Sequence, residues 1–282
     1  MKKLSKQQLE QITELLKKGQ AMPEEYKNLL FESKKEYELV YGGKEREEDI
    51  IAETMAVPLQ PVKTLGKDGN NNGWVNKLIF GNNLQVLKTL YDDPEVKGRV
   101  KLIYIDPPFA TKQDFRGSKE QKAYQDKIIG AQFLEFLRKR LVLLRELLAD
   151  DGSIYLHLDW KKGHYAKVLI DEIFDEENFI EEIVWNYGSP SGGRVGGNKL
   201  VKSHDYILHY AKNYGSQTFH QVYLPYKEKY IEDWFKFTED GRRYRRRMRG
   251  KDTKGNPIWE KQYLDESKGV PASTVWNDIQ QV

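Results

Sequence analysis

Val100-Lys-Leu-Ile-Tyr-Ile-Asp-Pro-Pro-Phe109 is the stretch on which the reading of the whole chain turns. Its first six residues form a near-continuous apolar run, the pattern of a strand covered on both faces. The run stops at Asp106, where two consecutive prolines remove two backbone donors and force an extended turn. Such a turn bares the Pro107 carbonyl and fixes the direction of the Asp106 carboxylate. It does so at the carboxyl end of a strand, the edge where ligands bind in open α/β sheets. Phe109 adds a ring. Two acceptors match the two N–H bonds of an exocyclic amine, and Phe109 matches the face of the base that carries it. The plainer alternative is a strand ended by a Pro-Pro turn with an acidic first residue. Four residues alone do not separate the two readings.

Outward from this stretch the chain alternates between strands and helices. Trp74 to Phe80 reads as a short strand, Leu84 to Tyr91 as a helix, and Ala131 to Leu148 as the clearest helix. In the latter, Phe133, Leu137, Leu141, Leu144 and Leu148 line one stripe, with Arg138, Lys139 and Arg145 off it. Asp150-Asp151-Gly152 reads as a turn into a strand over Ser153 to Asp159. Helix over Gly163 to Phe174 and strands over Ile183 to Tyr187 and Asp205 to Tyr210 follow. These spacings predict a mostly parallel α/β sheet. Residues 1 to about 57 read as a helical arm, with Leu4, Leu9, Ile12, Leu15 and Leu16 at helical spacing. Beyond about residue 215 the periodicity is weak. The expected division is a helical arm over 1–60, an α/β portion over 61–215 and a third region over 216–282.

Composition narrows the function classes. The chain has 282 residues, no cysteine and a net charge of +3, with mean hydropathy −0.75. Lack of cysteine removes disulfides, thiolate metal sites and cysteine nucleophiles. No apolar run approaches the roughly 18 residues of a membrane span, and the mixed-charge start does not read as a signal peptide. A cytoplasmic protein with no membrane attachment is the expectation. The five histidines lack zinc-ligand spacing, so no metal is expected. Gly192-Gly193-Arg194-Val195-Gly196-Gly197-Asn198-Lys199 has a P-loop outline, but its lysine is displaced and no Ser or Thr follows. Five glycines between Gly188 and Gly197 suit a loop beside a site. His157 and Asp159, two apart on one strand, read as an ordinary polar pair. Lys202 and His204, before a strand, read as loop residues.

The local charge is concentrated in Gly241-Arg-Arg-Tyr-Arg-Arg-Arg-Met-Arg-Gly-Lys251. Eight basic and two acidic residues lie between Lys236 and Lys251. Phosphate neutralisation is one reading of Arg242, Arg243, Arg245, Arg246, Arg247 and Arg249, and a solvated face is the other. Tyr244, Trp234, Phe235 and Phe237 would either stack on unpaired bases or pack beneath the arginines.

The stretch from Lys101 to Thr111 resembles the catalytic motif of amino-group DNA methyltransferases. Leu78-Ile-Phe-Gly-Asn-Asn-Leu-Gln-Val-Leu-Lys88 resembles that family's Gly-Asp-x-Leu element. Leu147-Leu-Ala-Asp-Asp-Gly-Ser-Ile-Tyr-Leu-His-Leu-Asp159 and Ser203-His-Asp-Tyr-Ile-Leu-His-Tyr-Ala-Lys212 resemble its later strands. Met22-Pro-Glu-Glu-Tyr-Lys27 is similar to modification subunits of type III restriction systems. The order of these elements fits the permuted β class. The resemblance implies a partial Rossmann-like sheet and transfer of a methyl group from S-adenosylmethionine to N6 of an adenine flipped out of DNA. Asp106 and the Pro107 carbonyl would hold the amine, with Pro108 shaping the turn and Phe109 stacking on the base. Asn82 and Asp106 would face the cofactor, and the arginine tract would open the target-recognition region. Alternatives are an N4-cytosine or rRNA methyltransferase, or a DNA-binding fragment without catalysis that needs a partner chain.

Two departures from the family are visible. Asn82 stands where the family carries Asp, able to hydrogen-bond but uncharged. No two of the 22 glycines are separated by one residue, so the Phe-x-Gly-x-Gly cofactor turn is absent from this sequence. The tail, Tyr263 to Glu266 and Val275 to Ile279, resembles sequence leading towards that turn. The expectation is therefore a catalytic half, with Val100 to Ile105 as an open sheet edge. A C-terminal half, a restriction subunit or self-association would cover that edge.

Overall fold

The structure, a computed structural model, describes residues 6–19, 38–64, 76–108, 130–188 and 200–279. Phe109, Met22 to Lys27 and most of the glycine-rich loop lie outside these residues, as do Trp74 and Val75.

A five-stranded sheet organises the molecule, in the order β1 (Val100–Ile105), β2 (Leu148–Leu158), β4 (His204–Ala211), β3 (Phe179–Asn186) and β10 (Val275–Trp276). β1 pairs parallel with β2, and β3 with β10, while β4 runs antiparallel to both β2 and β3. Four strands therefore point one way and β4 alone is reversed, so the sheet is mostly parallel as expected.

One face of this sheet carries the core. Ile103 of β1, Ile154, Leu156 and Leu158 of β2, and Leu208 and Tyr210 of β4 are buried there. Above them lie the buried faces of α4 (Ala131–Leu147) and α5 (Gly163–Phe174). Leu137 and Leu141 have no exposed surface. α3 (Asn83–Asp92) packs along α4 through partly buried Leu87, Leu90 and Tyr91.

The expected stripe on α4 is present, but Val142 and Leu143 are buried too, because α4 is enclosed by other helices as well as the sheet. Arg138 and Arg145 depart from the expectation of a solvated face. Arg138 is buried and donates to the Glu45 carbonyl at 2.5 Å. Arg145 donates to the Ile173 carbonyl at 2.6 Å and pairs with Glu47 at 3.1 Å. These arginines hold α2 (Glu47–Glu53) on the helical layer, where Ile50 enters the same core. Residues 38–44 are tied down similarly, by Tyr41 donating to Glu135 and by the Lys44–Glu172 pair at 2.8 Å. α1 (Lys6–Lys17) forms where the leucine spacing predicts a helix.

Three sequence expectations need correction. Residues 76–80 pair with no strand among the described residues, and Leu78 and Phe80 are fully exposed. β1 is buried on one face only, with Leu102 62% and Tyr104 58% exposed on the other. Its apolar composition does not distinguish a strand buried on both faces from one left open. At Asp150-Asp151-Gly152 the turn is an irregularity inside β2, which starts directly after α4. Between Val100↔Leu148 and Leu102↔Ser153 the register shifts. Gly152 is needed there because a Cβ would meet the Val100 carbonyl oxygen at 2.8 Å.

The region after 215 is more ordered than its periodicity suggested. α6 (Glu228–Trp234) leads into an antiparallel sheet of β6 (Phe237–Glu239), β7 (Arg242–Lys251) and β8 (Pro257–Tyr263). A short pair, β5 (Tyr223–Leu224) with β9 (Val270–Pro271), precedes the return to β10. Among the described residues no helix is long and apolar enough to cross a membrane.

Candidate active site

Alternation along the strands sends odd and even residues to opposite faces. The face away from the helical layer receives Tyr104 and Asp106 from β1 and its end, Tyr155 and His157 from β2, His209, Ile207 and Asp205 from β4, and Trp185 from β3. Pairing of Ile105 with Leu156 sets Asp106 beside His157. Because β4 is reversed, its first residues reach the same carboxyl edge, where Asp205 lies opposite Trp185.

The edge is thus a compact group. The Asp106 side chain is 55% exposed, and one carboxylate oxygen lies 3.7 Å from Nδ1 of His157. On the far side of the imidazole, Asp205 Oδ2 lies 3.5 Å from Nε2. The Tyr104 hydroxyl is 3.2 Å from Nδ1. Trp185 meets the imidazole edge-on, with ring centroids 5.6 Å apart, and donates its indole N–H to the Ile279 carbonyl at 2.8 Å. Burial pushes the Tyr104 phenol above its ordinary pKa, and the nearby Asp106 and Asp205 carboxylates add to this. Tyr104 therefore keeps its hydrogen through the neutral range. Pro107 is buried and Pro108 exposed, so the first proline anchors the turn while Asp106 projects from it.

Further along the same edge, Trp160 is 37% exposed between two ammonium groups. Lys202 Nζ lies 5.3 Å and Lys161 Nζ 5.9 Å from its ring centre. Lower on this face, Tyr155 stacks on His209 at 4.1 Å, and Glu181 lies 3.4 Å from His209 Nδ1. Burial lowers the His209 pKa against the pull of Glu181. Among the described residues no group of three or more His, Asp or Glu is placed to hold a metal ion.

Several predicted site residues have definite surroundings. Asn82 is the N-cap of α3, its side-chain oxygen accepting from the Leu84 N–H at 3.1 Å. Of the expected polar pair, His157 faces Asp106 and Asp205. Asp159 instead accepts from the Lys161 N–H at 3.0 Å and lies 3.5 Å from its ammonium. The arginine tract divides by partner. Arg242 pairs with Asp265 at 2.7 Å and with Glu266, and Arg249 pairs with Glu260. Arg243 donates to the Phe235 and Ile231 carbonyls. Arg245 donates to Gln262 and Tyr230. Among the described residues Arg246 and Arg247 form no ion pair, and Arg246 lies over the Phe237 ring at 4.8 Å. Phe235 and Tyr244 are buried, whereas Trp234 and Phe237 are exposed.

Tyr104, Trp185, Asp205 and Trp160 have no place in the site read from sequence. The signal for Asp205 lies in pairing: only a reversed β4 brings its start to the carboxyl edge where β1 and β2 end.

The mostly parallel sheet, with an Asp-Pro-Pro turn at its carboxyl edge, defines a class that comparison makes specific. Residues 100–282 match the N6_N4_Mtase family model, described as DNA methylase, and the chain belongs to that family. It is 40% identical over 138 residues to the type II methyltransferase M.EcaI of Enterobacter cloacae, covering 49% of this chain and 29% of that protein. It is likewise 40% identical over 140 residues to the probable type III restriction-modification enzyme HindVI Mod subunit of Haemophilus influenzae, covering 49% of this chain and 18% of the relative. The chain therefore spans under a third of the length of either relative. Among solved structures the M1.HpyAVI–SAM complex is similar at 14% identity and a TM-score of 0.33, over 53% of this chain and 60% of that one.

Proposed function

We propose that this chain carries the amine-holding part of a DNA adenine-N6 methyltransferase. The observation that carries the reading is the open Asp106 carboxylate beside the Pro107 turn, on a sheet edge lined by aromatic rings. S-adenosylmethionine supplies an activated methyl group. The chain's own work is then to position the acceptor nitrogen. Asp106 accepts one N–H of the adenine amine and the Pro107 carbonyl the other, turning the nitrogen lone pair towards the incoming carbon. Phe109 stacks on the base. Asn82, with its oxygen engaged at the helix cap, and Asp106 would be the residues of this chain that face the cofactor.

The outer edge of β1 is unpaired among the described residues, and a bare apolar edge strand is an association liability. A further polypeptide covers it in this reading: a C-terminal half, a second copy or a restriction subunit. The greater length of the matched relatives, one of them a Mod subunit, supports that view. A cytoplasmic location follows from a DNA substrate in such a system.

Methyl transfer from tritiated S-adenosylmethionine to unmethylated plasmid DNA, followed by nucleoside mass spectrometry, tests the reading. N6-methyladenine is expected. N4-methylcytosine would move the substrate to the other amino base, and methylated rRNA without methylated DNA would overturn the assignment.

DNA contact by the arginine tract narrows, in this proposal, to Arg246 and Arg247. Neither forms an ion pair among the described residues, although Glu260 lies opposite Arg247, and Trp259 and Met248 are exposed close to them on β8 and β7. Replacing both arginines by alanine is expected to weaken binding to any DNA sequence. The slope of log affinity against log salt should fall by about 0.9 for each phosphate contact removed. An unchanged slope, measured by fluorescence anisotropy, would show that the tract is only a solvated face.

A further inference from the structure

The carboxylate that would hold the amine is more than half exposed, so something other than burial must fix its direction. His157 is the group behind it. The imidazole is buried and has a carboxylate at each edge, Asp106 at 3.7 Å from Nδ1 and Asp205 at 3.5 Å from Nε2. Trp185 closes one side of the ring, and the Tyr104 hydroxyl meets Nδ1. Three strands supply these groups, so the ring cannot turn without disturbing the sheet edge.

We infer that His157, flanked by Asp205, is a positioning residue that orients Asp106 for the target amine. The inference rests on the reading of Asp106 given above. Tyr104 keeps its hydrogen and donates it to Nδ1, which leaves the ring hydrogen on Nε2, facing Asp205. With Nδ1 accepting from Tyr104, the Nδ1 side of the ring and the Tyr104 oxygen face the inner side of Asp106 and, offering it no donor, turn its acceptors outward. The outer side of the carboxylate stays free for substrate. No covalent step is assigned to His157, and it need not touch DNA. A loose Asp106 would still meet the amine, but in the wrong direction. Misplacement of a reacting group by about 1 Å costs on the order of 10²-fold in rate.

Two measurements separate this role from a structural one. The first is the long-range ¹H–¹⁵N spectrum of the histidine rings in the full chain. A single His157 tautomer with hydrogen on Nε2 is expected. Asp205→Asn and Tyr104→Phe should each shift the His157 ring nitrogens, as should Asp106→Asn, while His209 and His220 stay unchanged. His157 signals indifferent to Asp106→Asn would overturn the inference. The second is the plasmid methylation rate. His157→Leu should lower kcat by about 10²-fold with little change in the KM for DNA. His157→Asn, whose amide oxygen can take the accepting place of Nδ1, should recover more activity than His157→Gln. Full activity in His157→Leu would refute the positioning role. Full activity in Asp106→Ala would instead refute the function on which it rests. If His157→Leu fails to fold, the ring spectra of the three partner variants decide the matter.

Discussion

Asp106→Ala is expected to lower DNA methylation by about 10³-fold, as loss of a preorganised hydrogen-bonding group aimed at a reacting centre does elsewhere. The amine nitrogen of an adenine is a poor nucleophile because its lone pair is drawn into the ring. An acceptor on each N–H is what turns that pair outwards. Alanine leaves the Pro107 carbonyl as the sole acceptor, and the nitrogen is then held at one point and free to rotate about it. Asp106→Asn should fare little better. One oxygen becomes an N–H₂ group, which opposes the amine instead of accepting from it. Stability should hardly change, because the side chain is 55% exposed, and surface substitutions of this kind usually stay within about 0.5 kcal/mol. Initial rates of tritium incorporation, alongside urea unfolding of the same preparations, separate chemistry from folding. Retention of even a tenth of the activity would remove Asp106 from the assigned role.

Leu141→Ala is expected to destabilise the chain by about 2–5 kcal/mol, the range for deleting a fully enclosed leucine side chain. Leu141 has no exposed surface and lies among the residues joining α4 to the sheet. The enclosure leaves little room for neighbours to collapse into the cavity, which puts the cost in the upper part of that range. Leu78→Ala is the matching control: the same atoms are deleted where the side chain is fully exposed. A urea midpoint that falls for Leu141→Ala at constant slope, and holds for Leu78→Ala, would establish the helical layer as the seat of stability. Equal midpoints would show that α4 is not packed as described.

Much of the fold was legible because its signals are local. α4 needed only its apolar spacing, and the stop at Asp106 needed only two prolines. What sequence reasoning lost depends on the partner of a segment. Val100 to Ile105 is apolar whether or not both faces are covered, and its open face could be known only from the absence of a described neighbour. Arg138 looks like any helix arginine until a carbonyl from residue 45 meets it. The arginine tract has no apolar alternation, so β7 is held mainly by cross-strand pairing with β8, which composition does not announce. The site divides in the same way. Asp106 and Pro107 follow from one short stretch, whereas Asp205 enters from β4, about a hundred residues later. His157 was visible, but the carboxylates that flank it come from residues 106 and 205.

The reversed strand β4 also has a consequence for the order in which the chain acquires its shape. It follows both β2 and β3 in sequence yet lies between them in space. Those two strands therefore cannot zip together as they emerge, and each must keep a bare edge until residues 204–211 are made. Closure of such long-range pairings is slow relative to helix formation. The edge holding Asp106, His157 and Asp205 is therefore expected to form after the helices, so a partly unfolded chain should lose its chemistry before it loses its helical content.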